Sequence, residues 1–213
     1  MNYPQSPLPT LGRMMVFIDG ENLVGRYQDM VGKGATPSGK VVLKDVVVEN
    51  RKNDIIYEPD VFVWKSTTIQ PDLNVVIRAT YYTYVTGDDQ RKSEVEARIK
   101  ELDFKQYDPP APYWLYPGLL NKLHPIVFKK LKKQKKTKGV DIQMTVDILS
   151  NLYKDTMDVA YLVAGDGDYL PVIQEVMRNG KQLFLAALSE GLSPFLRNVA
   201  DKFIDLDSIY FTK

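Results

Sequence analysis

Two rhythms alternate along the chain. Short apolar runs, "MMVFI" at 14–18, "VAYLVA" at 159–164 and, after its opening Gln182, "QLFLAAL" at 182–188, suit strands buried on both faces of a parallel sheet. Between them lie stretches with apolar residues at helical spacing. "ENLVGRYQDM" follows the first run, and "RKSEVEARIKELDF" repeats Val95, Ile99 and Leu102 on one face. "VDIQMTVDILSNLY" and "DYLPVIQEVMRNGK" read as helices, the latter stopped at Gly180. "SPFLRNVADKF" begins a helix with Ser193 as N-cap and Pro194 in its first turn. "NVVIRATYYTYV" is a long strand and "FIDL" a short last one, while "APYWLYPG" reads as a strand or loop. "HPIVFKKLKKQKKTKG" reads as a helix running into lysines, with His124 and Pro125 at its start. Residues 33–70, within the stretch Val31 to Pro71, break the rhythm. The runs "VVLKDVVVE" and "DVFVW" around "NRKN" read there as an inserted hairpin or flap.

Strands alternating with helices predict an α/β fold: a doubly wound, Rossmann-like parallel sheet flanked by helices, with a β-rich insertion near 33–70. The 213 residues suit one domain, 1–213, with 1–13 as a proline-containing flexible lead-in. The absence of cysteine excludes disulfides and thiolate zinc sites, and a single histidine excludes histidine-pair catalysis. With no apolar run of about 18 residues and no apolar signal core, the expected location is the cytoplasm. Whether the chain forms a homo-oligomer is left open.

Ligands of doubly wound sheets bind beyond the carboxyl ends of the strands. Acids stand there: Asp19 after "MMVFI", and Asp166 with Asp168 in "GDGD" after "VAYLVA". Asp141 opens the helix that leads into "VAYLVA". Singly, each has an ordinary explanation as a turn residue or helix cap. Together, at strand ends of one sheet, they would repel one another unless a cation joined them. An all-oxygen donor set suits Mg²⁺ or Mn²⁺, which clamp phosphate oxygens and activate water.

Charge adds a partner. Seven lysines fall within residues 129–138, and Lys122 lies just before them. Without these eight, the net charge of +1 becomes −7, so the chain is polarised. A lysine field beside an acidic crevice suits a polyphosphate backbone, although a solvated helix face explains the run as well. Tyr113, Trp114 and Tyr116 could stack bases or fill the core. "GATPSGKV" at 34–41 fits G-x-x-x-x-G-K, but it lacks the Ser/Thr and the strand–loop–helix context of a P-loop, and we read it as a chance match.

Four blocks, "VFIDGENL", "KGVDIQMTVDIL", "YLVAGDGDYLPVIQEVMRNGKQ" and "SPFLRNVADKFIDL", resemble in this order the NYN domain, a branch of the PIN-like nucleases. The likeness covers roughly residues 14–27 and 138–207. It implies a metal-dependent endoribonuclease with Asp19, Asp141, Asp166 and Asp168 as catalytic metal ligands for Mg²⁺ or Mn²⁺. The expected substrate is single-stranded RNA, bound by Asn22 and by Lys132, Lys133, Lys135, Lys136 and Lys138. Asp147 also falls in the family pattern. It lies about 240° round a helix from Asp141, so the two cannot easily face one ion. Ala164 stands where the family usually has serine. Two other readings compete. A haloacid dehalogenase-like phosphatase shares the early acid and the late "GDG", but it needs a second aspartate where Glu21 stands. A catalytically silent RNA-binding or regulatory protein would not need all four acids.

Overall fold

A computed structural model describes residues 11–42, 54–105, 121–130 and 139–212. In chain order the elements are β1 (Arg13–Asp19), α1 (Gly20–Gly32), β2 (Val41–Val42), β3 (Ile55–Glu58), β4 (Phe62–Trp64), β5 (Val75–Thr86) and α2 (Asp89–Glu101). There follow β6 (Leu123–Lys130), α3 (Gly139–Tyr153), β7 (Val159–Val163), α4 (Leu170–Arg178), β8 (Gln182–Ala187), α5 (Pro194–Val199), β9 (Lys202–Asp205) and α6 (Asp207–Tyr210). A 3₁₀ turn, Gly167–Tyr169, leads into α4.

Six strands form one parallel sheet in the order β6-β5-β1-β7-β8-β9. From β1 the chain builds outward to β5 and β6 on one side, then returns to build β7, β8 and β9 on the other. The strand order therefore reverses between β1 and β7, where α/β folds open a crevice at the carboxyl ends. The period-two alternation of the strands divides the core into two layers. Met14, Val16 and Ile18 of β1, with Tyr161 and Val163 of β7, face α1, α2 and the small sheet. Phe17 of β1, with Ala160 and Leu162 of β7, faces α3, α4 and α5. The continuous apolar runs thus cover a sheet buried on both sides.

The β-rich insertion forms a second sheet, β2-β3-β4. Phe62, Val63 and Trp64 belong to the same buried cluster as β1. The Trp64 indole N–H donates to Asp103 O at 2.6 Å, and the Tyr81 hydroxyl donates to Val63 O at 3.2 Å. Glu58, buried at the end of β3, is held between the guanidinium groups of Arg91 and Arg98 on α2. The segment expected as a flap is fastened to the core by packing and by a paired buried charge.

One expected element is wrong in type. Residues 123–130, read as a helix, form the edge strand β6. Leu123, Pro125 and Val127 are buried while His124 is exposed and Ile126 and Phe128 are half-buried, a period of two rather than 3.6. β-Branched Ile126 and Val127 favour the strand, and Pro125 is tolerated on an edge. His124, near the amino end of β6, pairs with Thr80 of β5 and so lies level with Phe17, two strands across from β1. "APYWLYPG", most of "VVLKDVVVE", residues 1–10 of the lead-in and Lys132, Lys133, Lys135, Lys136 and Lys138 lie outside the described residues, while Arg13, the last residue of the lead-in, already belongs to β1. Ser193 holds the N-cap position of α5, but its side chain makes no cap hydrogen bond. The short helix α6 carries no clear sequence signal. Among the described residues, no helix is long and apolar enough to cross a membrane.

Candidate active site

Asp19 ends β1 and caps α1. Its Oδ1 accepts the Asn22 backbone N–H at 2.9 Å, satisfying one of the free donors at the helix start. The next residue must be glycine. A Cβ at position 20 would stand 2.2 Å from the Tyr81 ring and 2.6 Å from Tyr82 O. "DG" is therefore how the chain turns from strand to helix while pressed against β5. By strand parity Asp19 shares the face of Phe17, the side on which α3 and α4 pack.

On that side it meets Tyr169. The buried Tyr169 hydroxyl stands 2.9 Å from Asp19 Oδ2 and 3.1 Å from Asp141 Oδ1. Asp141 comes from the first turn of α3, and Tyr169 from the 3₁₀ turn after β7. One phenol thus brackets the acids of two different elements. A hydroxyl carries one proton, so it can donate to only one of these carboxylates at a time. Asp19 is 3% exposed. Burial raises its pKa to about 7, the Asn22 and Tyr169 donors oppose that rise, and Asp141 and Glu21 add to it. Burial and the two neighbouring carboxylates raise the Tyr169 pKa as well, so the phenol stays protonated.

Asp166 and Asp168 follow β7. Asp166 Oδ1 accepts the Asp168 backbone N–H at 3.1 Å, and both side chains are exposed. Their loop is tied to its neighbours on two sides. Gly165 N–H donates to Asn22 Oδ1 at 3.0 Å, and Ser193 N–H donates to Gly165 O at 2.9 Å. Asn22, expected as a substrate contact, therefore also joins the start of α1 to the loop after β7. Asp147 is engaged elsewhere: it accepts from the Tyr82 hydroxyl at 2.8 Å and from Gln143 Nε2 at 2.9 Å. This agrees with its angular separation from Asp141.

Asp19, Asp141, Asp166 and Asp168 all line one cleft of about 430 Å³ at the carboxyl end of the sheet. Among the described residues, no three acids or histidines stand close enough together to hold an ion by themselves. The close pair is Asp19 and Asp141, with Asp166 and Asp168 farther round the rim. Two carboxylates, with water and substrate oxygens completing the shell, is the habit of Mg²⁺. A cation would also relieve the repulsion between two carboxylates that share a single donor. The donor set therefore fits a hard divalent ion at Asp19 and Asp141. Tyr169 was not singled out in the sequence, because it reads there as the first apolar residue of α4. The available signal was a polar-tipped aromatic directly after two acids.

The chain resembles known proteins in three ways. A curated relative, the uncharacterized protein MJ0482 of Methanocaldococcus jannaschii, is 31% identical over 67 residues. That stretch covers 32% of this chain and 28% of the relative. A crystal structure of a protein of unknown function, VPA0982 from Vibrio parahaemolyticus, superposes with a TM-score of 0.54 over 98% of this chain and all of that one. At 14% identity this likeness shows the fold alone. The NYN domain family model matches residues 13–207, almost the whole chain. The protein belongs to the NYN domain family, with the α/β fold of the PIN-like nucleases.

Proposed function

We propose that the protein is a metal-dependent ribonuclease that hydrolyses phosphodiester bonds of single-stranded RNA in the acidic cleft. The observation that carries this reading is the convergence of Asp19 and Asp141 on the Tyr169 hydroxyl, inside a cleft that Asp166 and Asp168 also line. Family membership supports the nuclease class.

Asp19 and Asp141 would hold Mg²⁺ or Mn²⁺, which when bound would polarise the phosphate and activate water. The chain's own residues do the rest. Asn22 N–H and the Tyr169 hydroxyl fix both oxygens of Asp19, so its carboxylate does not need to reorganise. Asp166 and Asp168, exposed at the rim, are within the cleft to accept protons from water or to hold the ion through water. His124, the single histidine, stands two strands from β1 and does not line the cleft, so attack by a ribose 2′-hydroxyl under histidine catalysis is not the reading favoured here. The lysines at 132–138 directly precede α3, and so lead in sequence to Asp141.

The test compares labelled single-stranded RNA with p-nitrophenyl phosphate, each with Mn²⁺ or EDTA. The expected result is RNA cleavage with Mn²⁺, none with EDTA, and no turnover of the small ester. Turnover of the ester without RNA cleavage would move the protein to the phosphatases. RNA binding without cleavage in either condition would make it a silent binder.

A further inference from the structure

Gly25 stands in the middle of α1, where nothing in the fold calls for glycine. Its backbone is helical, and a Cβ there would meet no heavy atom within 4 Å. Glycine inside a helix is less stable than alanine, so the fold bears a weakness here without any packing reason. The position is on the cleft: Gly25 lines the same cavity as Asp19, Asp141 and Asp166. Glu21, Gly25 and Gln28 share one stripe of α1 along its wall.

Two neighbours indicate what the missing side chain makes room for. Arg26 lines the cleft, and its guanidinium packs against Gly191. Gly191 has φ +67°, and a Cβ there would stand 2.3 Å from Arg26 Cζ. The left-handed glycine thus opens the space in which the guanidinium is held. Its ion pair with Asp29 is long, at 3.5 Å, and both partners are solvated. On the strand side, Tyr84 lines the cleft near the end of β5, and Lys130 Nζ stands 4.1 Å from its ring centre.

We propose that Gly25 floors a groove for a single-stranded polynucleotide, with Tyr84 stacking a base and Arg26 taking a phosphate. This rests on the ribonuclease reading above and names where the substrate runs. Arginine's planar fork suits a phosphate, and a tyrosine ring accepts any base. The acids sort the two. Asp60 and Glu21 on the cleft wall repel phosphates, so that side receives bases, and the backbone passes Arg26 toward Asp19 and Asp141, whose charge a bound divalent ion would offset. A side chain at position 25 would stand in this path.

The test measures binding of a short fluorescein-labelled oligouridylate in EDTA, so that cleavage is off, together with melting temperature. Gly25→Ala is expected to melt about 2 °C higher than the parent. Gly25→Leu is expected to melt no lower than the parent, because leucine is a good helix former, yet to bind roughly tenfold more weakly. Tyr84→Ala should weaken binding similarly, and Tyr84→Phe should restore it. Binding by Gly25→Leu within about twofold of the parent would overturn the groove, as would a lower melting temperature for Gly25→Ala, since the fold would then need the glycine. If the parent cleaves RNA while Gly25→Leu binds normally, only the groove falls. If the parent neither binds nor cleaves RNA, both readings fall.

Discussion

The Tyr169 hydroxyl stands 2.9 Å from Asp19 Oδ2, and neither side chain is more than 3% exposed. A buried carboxylate needs its donors, and Asp19 has two: this phenol and the Asn22 N–H. Tyr169→Phe removes one of them without changing the packing. The expected cost is about 1–3 kcal/mol at pH 8, where Asp19 is ionised, and less at pH 5, where it is largely protonated. Urea unfolding at the two pH values measures it. An equal cost at both would mean that the bond does not serve the carboxylate.

Asp19 is itself a source of instability in the metal-free protein. Its folded pKa, about 7, lies above the ordinary carboxylate value. The folded state therefore favours the protonated acid. That contribution is fully present below about pH 4 and is lost as pH rises through 7. Asp19→Asn, which keeps a side-chain oxygen for the cap, should stabilise the protein in EDTA at pH 8 by a few kcal/mol at most, on the order of the linkage. It should change little at pH 4. Adding Mn²⁺ should raise the melting temperature of the parent and not that of the variant. A destabilised Asn variant in EDTA at pH 8 would contradict this.

Arg13 and Asp158 behave in the opposite sense. The Arg13 guanidinium donates to both oxygens of Asp158, at 2.8 and 2.9 Å, and its backbone N–H adds a third bond. These bonds hold the Asp158 carboxyl well below its usual range. A depressed carboxylate pKa contributes stability above the unfolded value, near 3.9, and loses it as pH falls. Asp158→Asn should thus be less stable than the parent at pH 7, with the gap closing in acid. The pair is partly exposed, so the effect should shrink in high salt. A gap that stays constant from pH 7 into acid would contradict it.

The lysine run and the aspartates should separate binding from chemistry. Replacing Lys132, Lys133, Lys135 and Lys136 with alanine should weaken RNA binding and flatten the log–log salt slope by up to about 3. The rate at saturating RNA should stay within about tenfold. Asp166→Asn should bind RNA at least as well as the parent and lose most cleavage. An unchanged salt slope in the lysine variant would make the run a solvated surface.

The sheet was legible because its strands are buried on both faces. "MMVFI" and "VAYLVA" announce themselves without knowledge of their neighbours, and the acids follow directly after them. Edge strand β6 was not legible, since its lysines and exposed positions imitate a solvated helix, and its pairing with β5 is a tertiary fact. The partners in the site were half legible. Asp19, Asp141, Asp166 and Asp168 stand out by position, whereas the pairing of Asp19 with Asp141 depends on Tyr169, whose role comes from where α3 packs. Gly25 reads as ordinary in the sequence, because only the structure reveals the open space above it.

If the paired acids serve hydrolysis of RNA, the ends of the products carry the signature of that chemistry. Single-stranded RNA incubated with Mn²⁺ should yield fragments bearing 5′-phosphate and 3′-hydroxyl ends. Asp19→Asn and Asp166→Asn should each lose most of that cleavage while still binding the RNA. Products ending in 2′,3′-cyclic phosphate, or cleavage undiminished in Asp19→Asn, would mean that these acids do not hydrolyse RNA.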